Sequence, residues 1–137
     1  MGCIEGFLQA WKKAFTFQGR ARRKEYWCFS LFSLLVFVAL LFVDFSLGTV
    51  YVDEESAVGL LSTLYFLATL VPGTALFIRR LHDANWSGLW FLANFIPLLS
   101  IVSGIVAAFV DGTPGPNRFG PDPKGRRPAS PKWQEPL

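Results

Sequence analysis

Three long runs without charge dominate the pattern of this chain. Between Glu25 and Asp44 lie 18 uncharged residues, between Glu55 and Arg79 lie 23, and between Asp83 and Asp111 lie 27. A helix rises ~1.5 Å per residue and the hydrocarbon core of a bilayer is ~30 Å thick, so runs of this length read as membrane spans. They predict spans at about 26–44, 56–78 and 86–110. Upstream, Ile4, Phe7, Leu8, Trp11 and Phe15 share one helical face, while Glu5, Gln9, Lys12 and Lys13 point elsewhere. Residues 1–19 are therefore expected to hold a short amphipathic helix, lying in the headgroup region or else packed on the spans. From residue 111 onward the periodicity ends. Residues 111–137 hold seven of the nine prolines and four glycines, which predicts turns and extended chain. The fold class expected is an all-α membrane protein: an amphipathic interfacial segment (1–19), a three-span transmembrane domain (20–110) and an extended, basic, Pro/Gly-rich tail (111–137).

Composition supports the membrane reading. Of the 137 residues, 52% are hydrophobic and 17% charged, with 14 Phe and a mean hydropathy of +0.37. This argues against a soluble enzyme, a disulfide scaffold or a free nucleic-acid-binding module. The net charge of +3 conceals an asymmetry. Lys12, Lys13, Arg20, Arg22, Arg23 and Lys24 precede the first span, and Arg79 and Arg80 follow the second. The intervening connection has no base, but has Asp44, Asp53, Glu54 and Glu55. Basic residues near span ends stay in the cytoplasm, so the N-terminus is expected inside. Three spans then put the tail outside, against its five bases Arg118, Lys124, Arg126, Arg127 and Lys132. A competing topology folds 86–110 as a hairpin bent near Pro97 and returns the tail inside, although each arm is too short to cross alone. We take three spans as the expectation.

Smaller features refine this outline. With a cytoplasmic N-terminus, Cys3 and Cys28 are expected as plain thiols. Gly6 occupies the position where the myristoylation pattern needs Ser or Thr, and no apolar leader precedes Cys3. Tyr26 and Trp27 suit an interfacial belt, and Asp44 can reach the outer headgroups. Pro72 and Pro97 mark bends within the second and third spans. Ser100, Gly104 and Ala108, at spacing four, form a small-residue stripe for close helix packing, more within the chain than between chains.

The segment richest in chemistry is RRLHDANWSG, residues 79–88. On a helix Arg79 faces Asp83 at i,i+4 and His82 at i,i+3. Its guanidinium groups can clamp a phosphate headgroup or a partner's carboxylate. A plainer account also covers it: bases holding topology, Asp83 or Asn85 capping the next helix, and Trp86 anchoring the interface. Arg20, Arg22, Arg23 and Lys24 form a second cluster, where each base is worth ~1 kcal/mol against an anionic leaflet without any specific ligand. The candidate contacts to lipid headgroups or a partner are thus Arg20, Arg22, Arg23, Lys24, Arg79, Arg80, His82, Asp83 and Trp86. No charge or histidine sits at mid-depth in the uncharged runs, which disfavours proton relays and ion-coupled carriers. One histidine and two separated cysteines make no zinc set, and no catalytic or nucleotide-binding motif is present, so neither enzymatic activity nor a metal or other cofactor is expected.

Two stretches then become recognisable together: GRARRKEYW (residues 19–27) and RRLHDANWSG (79–88) running on to Ile96 and Pro97. With GPNRFGPDP (115–123) they resemble the YhaH-like small bacterial inner-membrane proteins, domain-of-unknown-function group 805, over roughly residues 7–123. The resemblance implies an all-helical, multi-pass protein of the bacterial cytoplasmic membrane, and it supplies no activity. Trp86 departs from the small or basic residue often found there, and the chain beyond Pro123 is particular to this sequence. The function expected is a non-enzymatic accessory or scaffolding subunit of a larger membrane assembly. Its partners would be anionic lipids and another integral membrane protein, not nucleic acid. An anionic-lipid-binding or lipid-sensing role is the alternative, and a small oligomeric transporter or channel is the weaker one.

Overall fold

A computed structural model describes residues 2–128. The helices follow the helical apolar pattern, even across Pro72. Helix α1 (Cys3–Lys12) precedes α2 (Arg23–Leu47), and a two-stranded hairpin, β1 (Val50–Val52) with β2 (Ala57–Gly59), leads into α3 (Leu60–Asp83). A 3-10 helix (Gly88–Phe95) and α4 (Pro97–Phe109) follow. At 25 and 24 residues, α2 and α3 are long and apolar enough to cross a membrane. Their outward faces carry Leu31, Leu34, Phe42, Leu64, Leu67 and Leu70, all exposed. So continuous an apolar surface is unfavourable in water and suits lipid. Gly48, left-handed at φ 69°, ends α2 by turning its N–H back to the Asp44 and Phe45 carbonyls.

The third predicted span is not one helix. Residues 88–95 wind as a 3-10 helix, Ile96 is extended, and Pro97 starts α4, which has only 13 residues and is about 20 Å long. Proline disfavours helical geometry in the residue before it and is itself well placed in a first turn, so it divides the segment. The second arm returns to the end it left, because the α4 C-terminus meets Arg80 and Arg23. Residues 88–109 thus form a hairpin bent at Ile96 and Pro97 and not one continuous helix.

Two further expectations are corrected, for the cysteines and for Asp44, and α1 and α4 show which of their faces pack. Cys3 and Cys28 pair as a disulfide between α1 and α2, Cα to Cα 5.2 Å; facing a reducing cytoplasm, the same two sulfurs would stand as adjacent thiols. Gly6 and Ala10 let α1 approach closely: a Cβ at Gly6 would lie 3.5 Å from both Cys28 Cβ and Glu25 Cα. Phe7 and Trp11 pack against a core of Ala10, Ala21, Phe29 and Leu76, while Ile4 and Leu8 of the same predicted face remain exposed. Asp44 does not reach headgroups but is fully buried, accepting hydrogen bonds from the Leu61 and Ser62 N–H groups and from the Thr49 and Ser62 hydroxyls at 2.7–2.9 Å. It caps α3 from the neighbouring helix. On α4, Ser103, Val106, Ala107 and Ala108 are buried, so Ala108 of the expected stripe packs within the chain, while Ser100 and Gly104 are half-buried and a Cβ at Gly104 would meet nothing within 4 Å.

Candidate functional site

The ends of α2, α3 and α4 converge on a buried polar cluster. The turn after α3 begins it: Asn85 is left-handed at φ 62°, and Trp86 N–H donates to the Leu81 carbonyl at 2.8 Å, closing the helix. Arg80, fully buried, donates through Nη1 to Asp83 Oδ2 at 2.8 Å. The other face of that carboxylate takes Arg20 Nε at 2.9 Å. Asp83 thus joins two guanidinium groups from different segments. Arg79 does not meet Asp83, as helical spacing predicted, but donates to Glu25 Oε1 on α2 at 3.2 Å. Its Nε and Nη2 are buried without a hydrogen-bond partner among the described residues.

The same cations close α4. A helix C-terminus leaves carbonyls unpaired and carries partial negative charge, so it needs donors and favours cations. Arg80 Nε donates to Ala107 O at 2.8 Å, Trp27 Nε1 to Ala108 O at 2.8 Å, and Arg23 Nη1 to Phe109 O at 3.1 Å. Arg80 Nη2 also reaches Val110 O. Trp27 therefore works as a helix-end donor, beyond any role as an interfacial anchor. Neither Asp83 nor Asn85 caps the segment that follows; Ser87 does, its hydroxyl accepting from Leu89 N–H at 3.3 Å. Trp86 packs its ring on Trp90, centroids 4.8 Å apart.

Residues 111–128 are turned and extended as predicted, yet they are docked. Thr113 N–H donates to the Asp83 carbonyl at 2.9 Å, and Arg20 binds the Gly115 and Thr113 carbonyls at 2.7 and 2.6 Å. Arg22 binds the Pro123 carbonyl. Phe119 stacks flat on His82, centroids 3.9 Å apart, while His82 Nδ1 lies 3.0 Å from the Gly19 carbonyl. Asn117 Nδ2 donates to the His82 carbonyl at 2.9 Å. Only glycine fits at 112, where a Cβ would come within 2.1 Å of Asp83 Oδ2. Of the predicted site residues, Arg20, Arg22, Arg23, Arg79, Arg80, His82 and Asp83 come together, Trp86 stands beside them, and Lys24 is exposed. Glu25, Asp111, Asn117, Phe119, Asp122 and Arg126 were missed as members. For Asn117, Phe119 and Asp122 the available signal was the GPNRFGPDP motif itself, one of the three stretches that carry the family resemblance.

Two tail carboxylates lock the fold-back. Burial pushes the Asp122 carboxyl up, but hydrogen bonds from Arg126 and from the Lys124 and Gly115 N–H groups outweigh it and hold the group far below the usual carboxylate range. The Lys124 ammonium at 2.6 Å, with Arg126 and Arg23, lowers Asp111 as well. Groups lowered in the folded state stabilise it above the unfolded carboxylate pKa of ~4, and that contribution is lost as pH falls through their native values. A dye on Arg118→Cys should therefore keep constant anisotropy from neutral pH down to about 5 and become mobile only below about 4. Release on raising the pH above neutrality would show that other groups hold the tail.

Comparison with known proteins places this architecture. The family described as "Protein of unknown function (DUF805)" matches residues 14–121, which span both arginine clusters and the docked tail as far as Pro121. Two Escherichia coli K12 proteins, named inner membrane protein YhaI and inner membrane protein YhaH, are each 40% identical over 121 residues. The alignments cover 88% of this chain and 97% and 98% of those relatives. Uncharacterized protein YiiR of the same strain is 30% identical over 142 residues, covering 84% of this chain and 89% of its own. No solved structure matches. With a family match over residues 14–121 and two relatives 40% identical along nearly their whole length, this chain belongs to the DUF805 family of proteins of unknown function.

Proposed function

We propose that this protein is a non-enzymatic, multi-pass inner-membrane protein that holds its ion-paired end against the anionic headgroups of the cytoplasmic leaflet. The supporting observation is the charge distribution of the fold. Among the described residues, α1 and the polar end carry all twelve Lys and Arg against five carboxylates, whereas the opposite end carries Asp44, Asp53, Glu54 and Glu55 and no base. The returning α4 removes the conflict between a basic tail and the positive-inside rule. Each exposed base near an anionic surface, such as Lys12, Lys24 or Arg118, contributes about 1 kcal/mol without any single ligand, whereas the buried Arg20, Arg79 and Arg80 are engaged inside the fold.

Two experiments test this reading. Arg118→Cys should resist an impermeant maleimide applied to intact cells and react once the inner face is opened; labelling from outside overturns the orientation. In vesicles containing about one-fifth phosphatidylglycerol, that lipid should be enriched around the protein, and about 0.5 M salt should abolish most of the enrichment by screening. Equal retention of neutral and anionic lipid overturns the headgroup reading.

A second reading keeps the protein as an accessory subunit of a larger assembly. It is favoured by the open space at Gly104 on an apolar, outward-facing part of α4. Gly104→Leu should then strip a co-purifying membrane protein in mild detergent while leaving the fold intact. Unchanged company sinks it.

A further inference from the structure

A polar cavity of about 250 Å³ opens where α1, the chain from Arg20 to Glu25 and the docked tail meet, lined by Gln9, Lys13, Arg20, Arg22, Glu25 and Pro123. Its charges are unequally compensated. Arg20 shares the Asp83 carboxylate with Arg80, and Glu25 is paired with Arg79 behind it. Arg22 donates only to the neutral Pro123 carbonyl, and Lys13, half-buried, has no polar partner among the described residues. Two cations without a carboxylate partner thus face a small cavity, with the Gln9 amide beside them. Partly desolvated cations of one sign in a concave site raise the local concentration of anions, and guanidinium and ammonium groups together suit phosphate oxygens.

We propose that this cavity is a phosphate-group site, taking either the headgroup phosphate of a membrane lipid or a free phosphate. The site rests on the reading of this end as the headgroup-facing one, and deepens it from diffuse attraction to one defined ligand. Lys13 and Arg22 hold the phosphate oxygens, Gln9 donates a further hydrogen bond, and the Arg79–Glu25 pair keeps the Glu25 carboxylate from repelling the anion. Because the tail supplies Pro123 and fixes the Arg22 guanidinium, the site is complete only with the tail docked.

The test uses the full chain in vesicles of phosphatidylcholine and phosphatidylglycerol, followed by detergent extraction in about 0.5 M salt, which screens exposed charges within ~4–5 Å. One phosphatidylglycerol per protein should survive extraction. Lys13→Gln with Arg22→Gln should weaken its retention at least about tenfold. Gln9→Glu, which adds a carboxylate to the cavity without touching any hydrogen bond of the fold, should do the same and guards against misfolding of the double variant. Lys12→Gln with Arg118→Gln, exposed bases outside the cavity, should not. If the bound lipid is displaced by inorganic phosphate in the millimolar range, or phosphate alone binds and is lost in the same variants, the cavity takes free phosphate; resistance to phosphate assigns the lipid. Salt-labile enrichment that ignores the cavity variants overturns this site while leaving the proposed function standing. No enrichment at any salt overturns both.

Discussion

Asp83→Ala is expected to cost about 3–5 kcal/mol, the range for removing one partner of a buried ion pair. The Asp83 carboxylate separates two guanidinium groups, accepting from Arg20 Nε at 2.9 Å and Arg80 Nη1 at 2.8 Å, and it is itself almost wholly buried. Its removal leaves both cations desolvated and repelling each other across the gap. Domains are typically stable by only ~5–15 kcal/mol, so the loss is a large share of the total. The folded, monodisperse fraction in mild detergent should collapse at temperatures the parent survives. Because Arg20 also holds the Thr113 and Gly115 carbonyls, the tail should be released in the same step, giving early proteolysis within 111–128. Arg80→Lys should share much of the defect despite retaining charge. An ammonium cannot reproduce the planar fork that serves Asp83, Ala107 and Val110 at once. Parent-like stability in both variants would mean that the cluster is not the organising centre of this end.

At the opposite end, Asp44→Ala should destabilise by about 2–4 kcal/mol, combining the loss of a helix cap with buried donors left unpaired. The carboxylate serves the Leu61 and Ser62 N–H groups and the Thr49 and Ser62 hydroxyls, so no smaller side chain can satisfy them. Asp44→Asn should fall between, since an amide has one oxygen to accept with where the carboxylate has two. Gly59→Ala probes the same centre from the other side: a Cβ there would lie 2.3 Å from Asp44 Oδ2. Thermal unfolding should order the parent above Asp44→Asn, and Asp44→Asn above Asp44→Ala. If Asp44→Ala instead unfolds with the parent, water has replaced the carboxylate and the cap is dispensable.

The two ends behave differently in one respect. Asp44 is a single acceptor meeting local donors, and its effects should stay near the β1–β2 hairpin and the first turn of α3. Asp83 ties the Arg20 stretch, α3 and the docked tail together, so its loss should propagate. The phosphate-group site between Lys13 and Arg22 inherits that dependence, because the docked Pro123 forms one of its walls.

Elements whose cause is local were legible along the chain. Uncharged length and all-round apolarity define α2 and α3, because lipid tolerates no unpaired backbone and rewards an apolar surface along the whole helix. The α1 periodicity was equally plain, as were the irregular character of residues 111–128 and the family motifs around Arg20 and Arg79. What the tertiary structure alone decided is pairing at long range. A run of 27 uncharged residues has the same hydropathy whether it crosses once or turns back. The choice lies with Pro97, which breaks the helix, and with Arg80, Trp27 and Arg23, which meet the α4 carbonyls 27, 81 and 86 positions away. Helical spacing offered Arg79 to Asp83, but at i,i+3 Arg80 takes that place and Arg79 turns to Glu25, a carboxylate 54 residues distant. The Cys3–Cys28 disulfide and the burial of Asp44 are of the same kind. Each depends on which groups are brought together once water is excluded, and a linear pattern of residue types does not record that distance.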